Sequence, residues 1–243
     1  MHSTENERMN RPYVVAHRGG AGLFPENSRK AFQNIEKTGV DGIECDIHVS
    51  ADNRLVVNHD PFLITEDGKK IFIKDEDFKN MEDQILINGE TPLLLEDVIN
   101  MVECRVVVEI KDPGAASILI KMIEENPNFQ SKVLVTSFFH KILIPFRQRY
   151  QKINTAALIM GFPADPVHLA KSCLADSIAF YYQGMNRAYV EECHRGGISV
   201  SVWNPVEYKN IKDMVEAGVD LIATDRPDIA FNVINEMKSM EKG

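Results

Sequence analysis

The sequence predicts an α/β fold, a (β/α)8 TIM barrel with a small insertion after the second strand. Three observations carry that prediction. Short apolar runs alternate with amphipathic stretches along the whole 243-residue chain, eight such runs are present, and charged and reactive side chains gather where the runs end. Parallel neighbours need a crossover that a helix supplies, so this alternation reads as a parallel sheet. Functional groups at the C-terminal ends of strands are the mark of a barrel. An open doubly wound sheet is the alternative, and residues 1–243 read as a single domain.

The first run, Tyr13–Ala16, ends on His17, Arg18, Gly19 and Gly20. Helical periodicity follows over 29–37, with Asn27 or Ser28 as its cap and Gly39 as its stop. Gly42–Val49 is the second run. The rhythm then breaks: residues 60–92 are charged and turn-rich, and read as an insertion at the barrel mouth, a small cap over a site there. A disordered surface loop is the alternative for its middle. Runs at Arg105–Ile110, Val133–Ser137, 155–160, 177–180, 198–203 and Leu221–Thr224 complete the set. Helical stretches at Ala115–Glu125, 188–195 and 206–217 fall between them, the last two stopped by Gly196-Gly197 and Gly218. Asp225, just ahead of the final helix, reads as another cap.

A net charge of -9 and the lack of a basic stretch exclude a nucleic-acid surface, which needs clustered Lys and Arg. Cys45, Cys104, Cys173 and Cys193 form no CxxC pair, so neither a zinc site nor a disulfide framework is indicated. A reducing compartment follows from that usage. The polar N-terminus and the absence of any apolar run near the roughly 20 residues that span a bilayer point to a cytoplasmic protein without stable membrane insertion.

Glu44 and Asp46 are two apart in a strand, so they share a face while Cys45 takes the other. Carboxylates inside a barrel are costly unless paired or bound to a cation. Glu109 adds a third, and three acidic oxygens suit Mg²⁺ or Ca²⁺ better than zinc. The alternative is a set of salt bridges to Arg18 and Lys111. His48 continues the same face but, at the strand's end, reads as a rim residue.

His17 and His59 stand beside this cluster. An ordinary pKa of about 6.5 lets one act as base while the other acts as acid. His2, His140, His168 and His194 lie in a polar tail or helical stretches and carry no role. Arg18 offers a planar fork for phosphate oxygens and Lys111 a point charge; with a divalent cation they describe a phosphoryl site. Gly19, Gly20 and Gly22 permit close backbone approach but form no dinucleotide fingerprint. Trp203, the single tryptophan, is a core residue by default, and at a strand end it can wall a substrate pocket.

Taken in order, His17-Arg18-Gly19, Glu26-Asn27, Glu44-x-Asp46, His59-Asp60, Glu109-x-Lys111 and Trp203 resemble the glycerophosphodiester phosphodiesterase family. The likeness extends to "TPLLLEDVI" and "AGVDLIATDRP", and so covers nearly the whole chain. It implies a TIM barrel with an insertion after the second strand. It also implies a divalent cation, Mg²⁺ or Ca²⁺, on Glu44, Asp46 and Glu109, an acid-base pair of His17 and His59, and a small-molecule glycerophosphodiester held by Arg18 and Lys111. The reaction would release sn-glycerol 3-phosphate and an alcohol. Asn53 stands where the family commonly has glycine, Ser28 where it commonly has threonine, and the text after Trp203 differs. A lysophospholipase D-like lipid phosphodiesterase and a non-catalytic binding barrel are the alternatives.

Overall fold

The computed structural model describes residues 11–240, which hold twelve strands and nine α-helices. The strands are β1 (Tyr13–Ala16), β2 (Gly42–Val49), β3 (Leu55–Val57), β4 (Phe62–Ile64), β5 (Lys70–Phe72), β6 (Leu93–Leu94), β7 (Arg105–Ile110), β8 (Val133–Ser137), β9 (Asn154–Ile159), β10 (Ser177–Tyr181), β11 (Ser199–Trp203) and β12 (Leu221–Thr224). The helices are α1 (Arg29–Ile35), α2 (Leu95–Met101), α3 (Ala115–Glu125), α4 (Phe129–Lys132), α5 (Leu143–Arg149), α6 (Pro166–Ser172), α7 (Arg187–Arg195), α8 (Tyr208–Ala217) and α9 (Pro227–Met240).

Eight strands, β1, β2 and β7 to β12, pair in parallel, and β1 bonds to both β2 and β12. The sheet is therefore a closed barrel, and the open doubly wound alternative falls. Closure explains why these strands read as unbroken apolar runs: each is covered on both faces. Outward-facing Ile43, Cys45 and Ile47 of β2 and Val106 and Val108 of β7 are fully buried, in one core with Phe32, Ile35 and Val98 of the helices. The inward faces of β9 to β11 carry small groups, Ala156, Ala179 and Ser201, which leave room inside the C-terminal mouth. The expected elements shift by only a residue or two: β9 begins at Asn154, β11 at Ser199, and α1 tightens after Ile35 into a 3-10 turn, Glu36–Thr38.

Residues 55–94 break the alternation, as the sequence predicts. β3 pairs antiparallel with β2, β6 with β3, and β4 with β5 in a separate hairpin. The middle of the stretch is not a disordered loop, because Val56, Leu63, Ile71, Ile73, Phe78, Met81, Leu86 and Leu94 form a small core of their own. Nor is it a cap over the site. The two antiparallel pairings hold it beside β2 and its apolar groups face one another, so from this stretch His59 alone reaches the cavity at the mouth. Asn53, in the β2–β3 turn, has φ 60°, a left-handed conformation that asparagine tolerates better than most residues. That accounts for the asparagine in a glycine's place.

Candidate active site

The chain after β1 turns sharply into the barrel mouth. Arg18 has φ 48° and Gly19 φ 79°, and a Cβ on Gly19 would lie 2.8 Å from the Ala31 Cβ of α1. Only glycine fits that contact. A left-handed arginine costs about 1–2 kcal/mol, and what holds it is a hydrogen bond of 2.8 Å from its backbone N–H to Glu44 Oε2. Asn27, also left-handed at φ 52°, donates its own N–H to the Arg18 carbonyl.

Glu44 and Asp46 project from β2 into the barrel, and Asp46 stands directly across from Glu109 of β7 in the strand register. All three are buried, and one oxygen from each lies within 4.8 Å of the others. Lys111 Nζ is 2.9 Å from Glu109 Oε1 and 3.4 Å from Asp46 Oδ1, while Arg18 Nε is 3.3 Å from Asp46 Oδ2. The salt bridges offered as an alternative are thus present. They do not complete the site, because Glu44 Oε1 and Asp46 Oδ1 remain buried without a hydrogen-bond donor. An all-oxygen set with orphaned acceptors fits a hard divalent cation.

Electrostatics point the same way. Burial, and next the charge of Asp46, push the Glu44 carboxyl up to about 8. Burial and Asp46 likewise raise Glu109. Burial would raise Asp46 too, but Lys111, Arg18 and the Asn27 amide together hold it below its ordinary value. Glu44, crowded by its neighbours, therefore retains a proton near neutral pH that a cation would displace.

His17 Nδ1 is 2.7 Å from Asp225 Oδ1, and its Nε2 faces Glu44 Oε2 at 4.0 Å. Burial would lower the imidazole, but the Asp225 hydrogen bond and the Glu44 charge outweigh it and raise it. His59 arrives by another route. β2 runs past the barrel rim and β3 folds back along it, so that Asn58 N–H bonds the Asp46 carbonyl and the next residue meets the acidic cluster. Its Nδ1 is 2.8 Å from Asp60 Oδ1. Each histidine thus engages an aspartate through Nδ1 and keeps Nε2 for the site.

His17, Arg18, Glu44, His59, Glu109 and Lys111 line one side of a cavity of about 380 Å³. Leu134, Phe138, Leu158, Tyr181 and Trp203 line the other. The Trp203 ring meets Phe138 and Tyr181 edge-on at 5.9 and 5.3 Å, and its indole N–H donates to the Ala179 carbonyl. It forms a wall of the cavity.

Residues 17–229 match the family model described as the Glycerophosphoryl diester phosphodiesterase family. The chain belongs to that family. A glycerophosphodiester phosphodiesterase from Caldanaerobacter subterraneus subsp. tengcongensis is 30% identical over 238 residues, covering 92% of this chain and 98% of its own. One from Bacillus altitudinis is 32% identical over 249 residues, covering 93% and 99%. Among solved structures, an Oleispira antarctica phosphodiesterase in complex with the product sn-glycerol-3-phosphate superposes with a TM-score of 0.82 at 16% identity, covering 93% and 97% of the two chains. At that identity the likeness establishes the barrel.

The structure of this glycerophosphoryl diester phosphodiesterase family member also corrects two residues, Asp225 and His48, and selects Ser28 from the two expected caps of α1. Asp225 does not cap α9: Thr224 Oγ1 receives the Arg226 N–H, while Asp225 turns into the mouth to meet His17 and the Asn204 amide. Ser28 alone caps α1, accepting from Ala31 N–H, while Asn27 donates its amide to Asp46. His48 is buried, not at the rim, and its Nε2 lies 3.0 Å from the His59 carbonyl oxygen. Asn204 goes unremarked in the sequence, although it directly follows β11 and the strand-end rule covers it.

Proposed function

We propose that this family member hydrolyses glycerophosphodiesters to sn-glycerol 3-phosphate and an alcohol, with His17 and His59 as the acid-base pair around a divalent cation on Glu44, Asp46 and Glu109. The family and the two relatives support the reaction class. The observation that carries the mechanism is the pair of histidines, each oriented by an aspartate, flanking an acidic triad with unpaired oxygens.

Arg18 and Lys111 hold the phosphate in this reading. Arg18 Nε is buried without a hydrogen-bond acceptor, so a phosphoryl oxygen would complete it. Lewis-acid polarisation of a phosphoryl oxygen is what Mg²⁺ or Ca²⁺ supplies there when bound. One histidine takes the proton of the attacking oxygen as the new P–O bond forms: either water, giving glycerol 3-phosphate directly, or the glycerol's own neighbouring hydroxyl, giving a cyclic phosphate that water then opens. The other delivers a proton to the alcohol oxygen as its P–O bond breaks. Trp203 and its aromatic neighbours close the uncharged side and exclude water from it.

The test is release of glycerol 3-phosphate from glycerophosphocholine and glycerophosphoethanolamine, with Mg²⁺, with Ca²⁺ and after chelation. Cation-dependent release is expected; folded protein that releases none with either ion overturns the reading. One observation favours a second substrate class at the same site. Phe138 (42% exposed), Phe139 (48%) and Met160 (65%) follow β8 and β9 on the apolar side of the mouth, where an acyl chain would lie. Long-chain lysophospholipids in the same assay decide it. Four unbonded cysteines support a cytoplasmic location, and no helix among the described residues is long and apolar enough to cross a membrane.

A further inference from the structure

Four buried side-chain polar atoms among the described residues have no hydrogen-bond partner: Arg18 Nε, Glu44 Oε1, Asp46 Oδ1 and Asn27 Oδ1. The first three belong to groups already assigned to phosphate or cation. The fourth does not. Asn27 is 8% exposed, and its Nδ2 donates to Asp46 Oδ2 at 3.0 Å, so the carboxamide is fixed against the acidic triad with its carbonyl oxygen unsatisfied.

An orphaned carbonyl oxygen at this depth needs a donor or a cation. Neither cationic side chain nearby bonds it: Arg18 pairs with Glu26 and Asp46 and its free Nε is assigned above to the phosphate, while Lys111 pairs with Glu109 and Asp46. The phosphoryl group of a diester monoanion cannot satisfy it, since it brings acceptors and no proton; a glycerol hydroxyl of the substrate is the competing partner, and the spectroscopic test below separates the two. A single cation held among the Glu44, Asp46 and Asn27 side chains would satisfy their orphaned oxygens together. It also offsets the excess of three carboxyls over two fixed bases.

We propose that Asn27 is a further protein ligand of the cation site, its side-chain carbonyl oxygen joining Glu44, Asp46 and Glu109. The inference rests on the cation reading above. Amide carbonyls serve hard cations as well as carboxylates do, and add a ligand without adding charge. Asn27 then has two functions through one side chain: its amide steadies Asp46 and its oxygen meets the ion.

The test uses Mn²⁺ as a spectroscopic probe on the full chain. In protein labelled with ¹³C at the asparagine side-chain carbonyl, electron–nuclear double resonance should show a strong ¹³C coupling to bound Mn²⁺. The coupling should vanish in Asn27→Ala, with Mn²⁺ affinity weakened by about 10–100-fold. The coupling is needed because loss of an indirect partner can lower affinity equally; it also requires no variant to fold. Mn²⁺ bound by the wild type without asparagine coupling overturns the Asn27 inference while leaving the cation reading intact. Mn²⁺ not bound by the wild type, or bound as tightly by Glu44→Gln, overturns the cation reading itself.

Discussion

His17 and Asp225 meet at the seam where the barrel closes. Ala16 of β1 is the register partner of Thr224 of β12, so the next residue on each strand is His17 and Asp225, and their side chains join at 2.7 Å. Asn204 clamps the aspartate from β11, donating its amide to Oδ2 and accepting the Asp225 N–H on Oδ1. Asp225 is a positioning residue: it fixes the tautomer that presents Nε2 to the site. Asp225→Asn keeps the shape but offers no matching acceptor to Nδ1–H. Its kcat should fall about 100-fold or more with KM little changed, and Asp225→Glu should recover part of the loss. A rise in KM at constant kcat would contradict the assignment.

Each of the two histidines is expected to be indispensable. His17→Ala and His59→Ala should each lower kcat by about 100–10,000-fold while leaving circular dichroism and thermal unfolding close to wild type. His59 is partly exposed, and neither ring is part of the apolar core. Either variant retaining substantial turnover removes that histidine from the pair.

Cation uptake should release protons. With the Glu44 carboxyl pushed up to about 8, it is largely protonated at neutral pH in the cation-free protein. Cation affinity should therefore rise with pH up to about 8 and level off above it, and calorimetry in buffers of different ionisation enthalpy should register the released proton. Stability follows the same sign. A carboxyl raised on folding favours the folded state below its unfolded value and loses that stability as pH climbs through about 8. Chelated protein should thus melt lower at pH 8.5 than at pH 6.5, and added cation should raise the melting temperature more at the higher pH. A cation effect that shrinks from pH 6.5 to 8.5 would contradict the proposed coupling.

The barrel was legible because strands covered on both faces leave unbroken apolar runs, and because glycines punctuate the helices between them. The placement of Glu44 and Asp46 on one inward face was legible by strand period, and the placement of His17, Arg18, Glu109 and Lys111 at the mouth by their positions at strand ends. Asp225 was not. A Thr-Asp-Arg-Pro stretch before a helix has the local chemistry of a cap, and its true partner lies 208 residues away, across a closure that local pattern does not encode. Asn27 was hidden by Ser28 for a similar reason, two capping residues standing where one cap is needed. The small core of residues 56–94 escaped because its members follow neither helical nor strand periodicity. His48 was misplaced because β2 runs on beyond the barrel and β3 covers its end.

Lys111 separates the two kinds of binding proposed for this site, because it pairs with the carboxylates and, in the proposed reading, also holds the phosphate. Its ammonium stands 2.9 Å from Glu109 and 3.4 Å from Asp46, where it offsets part of the charge that a divalent cation would meet. Removing it should favour the ion and disfavour the substrate. Lys111→Met should bind Ca²⁺ or Mn²⁺ more tightly than wild type, as attraction to the triad is no longer shared with a fixed base. KM for glycerophosphocholine should rise about 10-fold or more, the loss of one charge-assisted contact to phosphate. Without cation the variant should also melt lower, since Glu109 and Asp46 lose a partner, and saturating cation should close that gap. Isothermal titration with the ion and steady-state kinetics on the same preparation measure both shifts. Weaker ion binding together with an unchanged KM would make Lys111 a structural partner of the carboxylates and leave the phosphate to Arg18.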